Sequence, residues 1–383
     1  MATTPTECTL QCSLDLPECV DVLAAHPRHA ALLAVCTYML HPGGAKTGSV
    51  GLLQSTRTQG AHALAPACAP AATAAVFDGC WGGDASAPPL LLAATQGPAL
   101  CLHAHEGGAA APRLRALGSW ALPCEGGVGA GSALSCAWLG SEGGSGAAGG
   151  AGGVRALASL ADGRLWLGTL AREGSGGAAG AQAHTEACWH AHSLRGAPME
   201  VWCAAPMAEG GGSVLWSGGD DGLLKGWDAR APCAQGAAPA FVARAHTAGV
   251  TCIAPRGAAS PTTVATGCYD GVLRLWDSRA MAQPLAALDL GGGVWRVAWQ
   301  AGGATGVLAA ACMHGGARVV DVAGADSGGP APRVLAAYTG HEPAALTYGV
   351  AWLGDSELAS CAFYSKQVHA WGMAGMDQLA RQS

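Results

Sequence analysis

The sequence is poor in the residues that mark several common classes of protein. Charged side chains make up 12% of the 383 residues, and acidic groups outnumber basic ones by 26 to 20. The net charge of -6 therefore lacks the basic excess that nucleic-acid binding requires. No apolar run reaches the roughly 18 residues of a membrane span, and the opening MATTPTECTLQCSLDL lacks the cationic and apolar regions of a signal peptide. We expect a cytoplasmic protein that binds neither nucleic acid nor membrane.

The sixteen cysteines do not form a disulfide or metal pattern. No CxxC pair occurs, and several cysteines lie within apolar strand-like segments. Buried thiols behave as small hydrophobic side chains, and free thiols are typical of reducing compartments. The paired histidines at 103–105 and 190–192 are too sparse for a metal site. The sequence also lacks the GxSxG and HExxH hydrolase motifs, and we expect neither a metal nor a cofactor.

What the sequence does contain is a repeated unit. LWSGGDDGLLKGWDAR ends at Arg230, and VATGCYDGVLRLWDSR ends at Arg279, about fifty residues later. Each stretch predicts a strand, an Asp-Gly turn, a second strand and a Trp-Asp pair. This combination is typical of a WD-repeat β-propeller blade.

Seven such units can be counted along the chain. Four are clear, at residues 192–228, 246–277, 291–321 and 341–371. Three weaker strand pairs precede them: Val20–Ala24 with Leu32–Tyr38, Val76–Trp81 with Leu90–Leu102, and Ser135–Trp138 with Val154–Leu167. We predict one all-β domain over residues 1–383, a seven-bladed WD-repeat β-propeller whose ring is closed by the strand Cys8–Leu14. The low-complexity stretches 140–153 and 172–183 read as loop insertions.

The regular units carry a polar network that predicts structural roles. In each, a leading histidine, a turn aspartate, a serine or threonine and the later tryptophan are spaced to bond one another. The residues are His192, Asp221, Ser217 and Trp227 in one unit, and His246, Asp270, Thr266 and Trp276 in the next. A buried polar network must be satisfied, which is reason enough for these residues.

Two of the clear units depart from this pattern. His314 stands where one turn aspartate would be, and Tyr364 stands in the same position of the last unit. One interpretation is drift, in which these units no longer need the bond. The other is that His314, having lost the usual partner, serves a function on the face where small propellers bind partners.

The residues that open the first strands of three units are unusual as a group. They are Glu200 and Trp202, Trp295 and Arg296, and Tyr348. Each aromatic side chain alone is consistent with ordinary strand packing. Together around one rim, they could bind a cation or cage a quaternary ammonium group.

Three stretches carry a resemblance to a known family. GGDDGLLKGWDAR, GGVWRVAWQ with AACMHGG, and LASCAFYSKQVHAW occur in this order. Here the chain resembles the diphthine methyltransferase-named WD-repeat family of diphthamide biosynthesis, best over Trp189–Trp371. The resemblance implies a diphthine methyl ester hydrolase. Its partner would be translation elongation factor 2, whose methylated diphthine side chain would be converted to diphthine.

Ester hydrolysis needs a base and stabilisation of the oxyanion. We hypothesise that His314 activates water and that Arg296 stabilises the oxyanion. The substrate's trimethylammonium group would be held by aromatic and acidic side chains, namely Trp202, Trp295, Tyr348, Tyr269 or Tyr364, and Glu200 or Asp220. Cys312 is an alternative nucleophile, although strand alternation points it into the blade core.

The alternative function is a non-enzymatic scaffold. One form of it is a substrate receptor that binds the adaptor of a cullin-RING ubiquitin ligase. The endings WDAR at Arg230 and WDSR at Arg279 match the WDxR ending of such receptors. Arginine also follows WD in ordinary repeats, and the two functions are not exclusive.

Overall fold

The computed structural model describes residues 5–58, 61–83, 88–108, 110–124, 131–141, 153–171, 183–208, 212–231, 238–300, 304–325 and 328–373. Within these ranges the chain forms seven sheets of four or five strands, one two-stranded sheet and no α-helix. The fold is the predicted all-β, seven-bladed WD-repeat β-propeller. The predicted insertions 140–153 and 172–183 lie largely outside the described residues.

Most of these sheets are meanders of strands that follow one another in the chain. The first three sheets contain β2 Cys19–Ala25, β3 Leu32–Leu40, β4 Lys46–Thr58, β5 Ala61–Pro66 and β6 Ala71–Ala74; β7 Val76–Gly82, β8 Leu90–Thr95, β9 Ala99–Glu106 and β10 Arg113–Ala121; and β11 Ala133–Ser141, β12 Val154–Leu160, β13 Arg164–Leu170 and β14 Ala183–His190. The short pair is β15 Ser193–Leu194 with β16 Ala197–Pro198.

The remaining four sheets contain the clear repeats. They are β17 Val201–Pro206, β18 Val214–Gly219, β19 Leu224–Asp228 and β20 Phe241–Ala243; β21 Val250–Pro255, β22 Thr263–Cys268, β23 Val272–Asp277 and β24 Ala286–Asp289; β25 Arg296–Trp299, β26 Val307–Ala311, β27 Ala317–Asp321 and β28 Arg333–Tyr338; and β29 Thr347–Trp352, β30 Glu357–Ala362 and β31 Gln367–Met373 with β1 Cys8–Asp15. A short 3-10 helix, Pro343–Ala345, precedes β29.

The chain divides into two compact units. One consists of Met1–Val35, Leu53–Pro66 and Ala243–Ser383, and the other of Cys36–Leu52 and Ala67–Val242. In the first unit, β1 pairs antiparallel with β31, from Cys8 opposite Met373 to Asp15 opposite Gln367. The predicted closing strand is therefore confirmed, and it covers what would otherwise be an open sheet edge.

Buried apolar side chains from successive sheets form the cores of both units. In the first unit, one cluster joins the last two sheets through residues that include Val319, Val350 and Trp371. In the second unit, Leu92, Leu102 and Trp166 belong to a cluster of the same kind. Strand side chains alternate between opposite faces, so the apolar strand pattern of the sequence places one face of each sheet in these clusters.

The polar network of the repeat at residues 192–228, in the second compact unit, has the predicted members. His192 bonds Asp221 Oδ1 through Nδ1 at 2.7 Å and Ser217 Oγ through Nε2 at 2.8 Å. The Nε1 of Trp227 donates to the same Ser217 oxygen at 2.8 Å. Both His192 and Ser217 are buried, so the network satisfies polar groups that have no access to water.

The corresponding network of the next repeat differs from the prediction at one bond. His246 Nε2 and Trp276 Nε1 both bond Thr266 Oγ1, at 3.0 and 2.9 Å. The Nδ1 of His246, however, finds no hydrogen-bond partner in the part of the chain that the structure describes. Asp270 accepts instead from Arg274 Nη1 and Nη2, at 3.0 and 2.8 Å. Arg274 replaces His246 as the partner of Asp270 because the planar, charged guanidinium fits a carboxylate.

A buried histidine in the last repeat makes stability depend on pH. Burial, with a contribution from His369, lowers the pKa of His341 to about 3, whereas an unfolded histidine titrates near 6.5. Below about pH 6.5 the unfolded chain therefore binds the extra proton, and stability falls as pH falls towards 4. We expect His341→Gln, which can still reach Ser360, to reduce this slope by about 1.4 kcal/mol per pH unit.

Urea unfolding between pH 7 and pH 4 measures this slope. The matched control makes the same substitution at an exposed histidine, His41→Gln, and reports the effect of the substitution itself. An unchanged slope in the His341 variant would contradict the assignment of the proton to His341.

Candidate functional site

His314 lies in a tight turn between β26 and β27. The turn is closed by bonds from Gly315 N to Cys312 O at 2.7 Å and from Gly316 N to Met313 O at 3.2 Å. Met313 adopts a positive φ of 47°, which is unusual for a residue with a Cβ atom. Gly292 makes room for the turn, because a Cβ there would lie 2.8 Å from the nitrogen of Gly315. The glycines of GGVWR are thus explained by close packing against the histidine turn.

The turn contacts the last repeat at two points, the backbone of Met313 and the ring of His314. Met313 and Thr347 exchange two backbone bonds of 3.1 Å each, so His314 follows a residue paired with the start of β29. The ring Nδ1 lies 3.1 Å from the carbonyl oxygen of Pro343. A carbonyl can only accept, so Nδ1 carries the proton and donates it. In the neutral ring this leaves the lone pair on Nε2, as a general base requires.

Five aromatic side chains form a continuous row beside this turn, which we call the aromatic row. Its members, in order of contact, are Tyr269, Trp295, Tyr348, Phe363 and Tyr364. Consecutive ring centroids lie 5.6, 4.8, 5.2 and 5.0 Å apart. Tyr364 is 62% exposed, Phe363 is 5% exposed, and the other three rings are partly exposed.

A buried carboxylate on β2 contacts this row. Asp21 is 3% exposed, and its Oδ1 accepts from Trp295 Nε1 at 3.3 Å. The same oxygen lies 3.5 Å from Arg296 Nη2. Gly349 permits the backbone of β2 to approach β29, since a Cβ there would lie 3.1 Å from Leu23 N and 3.3 Å from the backbone oxygen of Asp21. Burial, with Asp21 and Tyr364, raises the pKa of Tyr348 to about 12, so its hydroxyl stays protonated at neutral pH.

Cys312 is placed unfavourably for a nucleophile. Its side chain is fully buried, and burial raises the pKa of its thiol to about 12. The reactive form of cysteine is the thiolate, which such a pKa makes scarce near pH 7. Its Sγ also points towards the carbonyl oxygen of Ala310, at 3.7 Å.

Three predicted binding residues belong to the other compact unit. Glu200, Trp202 and Asp220 all lie at the start of β17 or in the turn after β18, within Ala67–Val242. Trp202 Nε1 donates to Asp220 Oδ1 at 3.2 Å, and Asp220 N donates to Glu200 O at 2.9 Å. These bonds join the three residues within that unit.

Sequence reasoning missed two residues of the site. Asp21 is embedded in CVDVLAA, which reads as an ordinary strand, and Phe363 precedes the exposed Tyr364. A charged residue within an otherwise apolar strand was the available signal for Asp21, because a buried charge needs a partner. No group of three His, Cys, Asp or Glu side chains suited to a metal occurs among the described residues.

The two WDxR arginines are engaged by their own aspartates. Arg230 forms a two-pronged pair with Asp228, at 2.9 and 2.8 Å, and Arg279 does the same with Asp277, at 2.9 and 2.7 Å. Both arginine side chains remain largely exposed, at 74% and 68%. An ion pair within its own repeat therefore explains each arginine of the WDxR endings.

Comparison with known proteins supports the repeat assignment. Residues 239–277 match the family model described as WD domain, G-beta repeat. A chain in the crystal structure of a mitotic checkpoint complex superimposes with a TM-score of 0.63, over 97% of this chain and 94% of that one. At 15% sequence identity, this likeness shows the fold alone. No helix in the described ranges is long and apolar enough to cross a membrane.

Curated relatives share sequence over a smaller region. Over 166 residues the chain is 35% identical to a human protein named diphthine methyltransferase, and over 167 residues it is 34% identical to a mouse protein of that name. Each match covers 43% of this chain, and 34% and 32% of the relatives, so the matched region spans about a third of their length. The chain is thus a WD-repeat β-propeller, and its resemblance to the diphthine methyltransferase-named family is confirmed.

Proposed function

We propose that the protein is a carboxyl methyl esterase of the cytoplasm, acting on methylated diphthine in translation elongation factor 2. The observation that carries this proposal is the attachment of the His314 turn to the strand that bears Tyr348. Met313 pairs with Thr347, the residue before Tyr348, and this pairing supports a site that combines a histidine base with the aromatic row. The substrate would present a methyl ester and a trimethylammonium group, and these two features need a base and a cation site.

In the proposed reaction His314 acts as the base through Nε2. Nε2 removes a proton from water, and the hydroxide oxygen attacks the ester carbonyl to give a tetrahedral oxyanion. Collapse of this intermediate breaks the bond to the methoxy oxygen, which takes the proton back from Nε2. The products are a carboxylate and methanol, and a further proton is released to solvent. The bond from Nδ1 to Pro343 O holds the ring in the required tautomer.

Arg296 is the proposed stabiliser of the oxyanion. Its guanidinium is a little exposed, at 21%, and it is held by the more deeply buried Asp21. An arginine presents five N–H donors in a planar fork and can therefore contact more than one oxygen atom. A fixed cation near the developing charge favours the transition state over the neutral ester.

Mass spectrometry of the elongation factor tests the proposal directly. We expect purified protein to remove one methyl group from methylated-diphthine elongation factor 2 and to release one equivalent of methanol. The control reaction uses factor that already carries the free carboxylate. No loss of mass from a factor confirmed to be methylated would contradict the esterase function.

A further inference from the structure

Backbone strain in the described part of the chain is concentrated beside the aromatic row. Four residues other than glycine have a positive φ there, and three of them are Met313, Leu346 and Lys366. These three lie in segments that bond one another. Met313 pairs with Thr347, Leu346 O accepts from Phe363 N at 3.0 Å, and Lys366 N donates to Phe363 O at 3.2 Å. Such conformations cost stability and persist where the surrounding structure enforces them, which is typical of functional sites.

The turn Phe363–Lys366, which we call the extended turn, is longer than its counterpart in a regular repeat. Ser217 and Ser360 each accept from the tryptophan of their own repeat, so they are equivalent. Ser217 pairs with Lys225, eight positions later, whereas Ser360 pairs with His369, nine positions later. The last repeat therefore carries one extra residue between its paired strands.

The extended turn lacks the aspartate of the regular turns. Asp221 lies six residues before the tryptophan of its repeat, and Ser365 lies six residues before that of the last repeat. The sequence predicted Tyr364 at this position, and the extra residue accounts for the difference. Neither the buried Ser365 Oγ nor Nδ1 of His341 has a hydrogen-bond partner among the described residues. The bond that His192 makes to its aspartate thus has no counterpart here, and a buried polar group without a partner costs stability.

At the next position the regular turns have glycine and the extended turn has lysine. Gly222 and Gly271 have φ of 71° and 81°, and Lys366 has φ of 59°. A side chain makes this left-handed region unfavourable, whereas glycine enters it freely. Lys366 is held there at both ends of the residue. Its Nζ donates to Pro17 O at 3.1 Å, and its backbone O accepts from Leu16 N at 2.9 Å.

The extended turn is also bonded to the loop that contacts His314. Tyr364 N donates to Ala345 O at 2.9 Å, and Pro343 O of the same loop accepts from the His314 ring. The ring of Tyr364 is largely exposed and joins the aromatic row through Phe363, with centroids 5.0 Å apart. An aromatic ring that is held at the surface at a cost in stability indicates a role in binding, because local rules of stability are broken mainly at functional sites.

We propose that the extended turn is a recognition element that holds Tyr364 against a bound quaternary ammonium group, and that Lys366 is the positioning residue that keeps the turn in place. This inference rests on the proposed function, from which it takes the trimethylammonium group as the ligand. It makes stability and ligand binding change in opposite directions when the strain is relieved. A purely structural turn would change both in the same direction or leave binding unaffected.

The test compares Lys366→Gly with Lys366→Ala. Both variants lose the ammonium group and its bond to Pro17 O, but only glycine relieves the left-handed backbone. We expect the melting temperature of Lys366→Gly to lie about 2 °C above that of Lys366→Ala. Because glycine also lets the turn leave this conformation, choline should bind about fivefold more weakly to Lys366→Gly. Calorimetry with choline as the probe measures this affinity without any ester chemistry.

Tyr364→Ala tests the contribution of the ring itself. The ring is largely exposed, so the melting temperature should stay within about 1 °C of wild type. The affinity for choline should fall by about tenfold, because the outermost ring of the aromatic row is lost. The matched control is Tyr38→Ala, which removes a ring that packs on Phe77 in the other compact unit. This control should keep the wild-type affinity for choline.

Any of three results would overturn the inference. The first is that Lys366→Gly is no more stable than Lys366→Ala or binds choline equally well. The second is an unchanged choline affinity in folded Tyr364→Ala, and the third is that the wild-type protein does not bind choline. Failure of the proposed function looks different. The turn variants would then behave as expected, but methylated elongation factor 2 would keep its methyl group.

Discussion

Replacing His314 with alanine should lower the kcat of ester hydrolysis by about 10²- to 10⁴-fold, which is the usual contribution of a general base. The ring is exposed, and its bond to Pro343 O is on the surface, so its loss should not unfold the protein. KM should change little, because the aromatic row is intact. Methanol release from methylated elongation factor 2, measured over a range of substrate concentrations, separates kcat from KM.

The matched control is Cys312→Ala. This residue lies two positions before His314, but its buried thiol has a pKa of about 12, so we expect kcat within about threefold of wild type. Loss of activity in a folded Cys312→Ala together with full activity in His314→Ala would reverse the assignment and make the thiol the nucleophile. If His314→Ala still binds choline, used as a trimethylammonium probe, the cation site of the aromatic row is still formed.

Removing the central ring of the aromatic row should affect binding rather than chemistry. In Tyr348→Leu the ring that stacks on Trp295 is lost, and we expect KM to rise by about tenfold because the cation–π contribution disappears. The value of kcat should fall by no more than about threefold. Steady-state kinetics with methylated elongation factor 2 give both constants.

Two further variants make this result specific. Tyr348→Phe keeps the ring and removes only a hydroxyl, so it should retain most of the binding. Tyr38→Leu removes an aromatic ring that packs on Phe77 in the other compact unit, and KM should not change. A large drop in kcat with unchanged KM in Tyr348→Leu would assign the ring to catalysis instead of binding.

The sequence predicted those parts of the fold that depend on local signals. Asp-Gly turns and alternating apolar residues lie within one repeat, so strands such as Val272–Asp277 and the Ser217–Trp227 bond follow from spacing alone. The closing strand was also predictable, because the segment that begins at Cys8 is strand-like and precedes the first predicted unit.

The site was predicted less completely because it depends on contacts between distant segments. Asp21 and Trp295 are 274 residues apart in the chain, and no local pattern links them. The bond between His314 and Pro343 depends on a loop whose backbone path the residue types do not specify. For the same reason the sequence could not show that Trp202 belongs to a different compact unit from Trp295, although both begin a first strand in their repeats.

The pairing of Cys8 with Met373 has a consequence for how the chain is made. During synthesis β1 emerges before its partner β31, which is added some hundreds of residues later. Until then β1 is an unpaired strand that can associate with other chains. Long-range closure of this kind also slows folding. Expression should therefore depend on chaperones that shield nascent strands, and chains cut short before β31 should aggregate rather than accumulate as stable fragments.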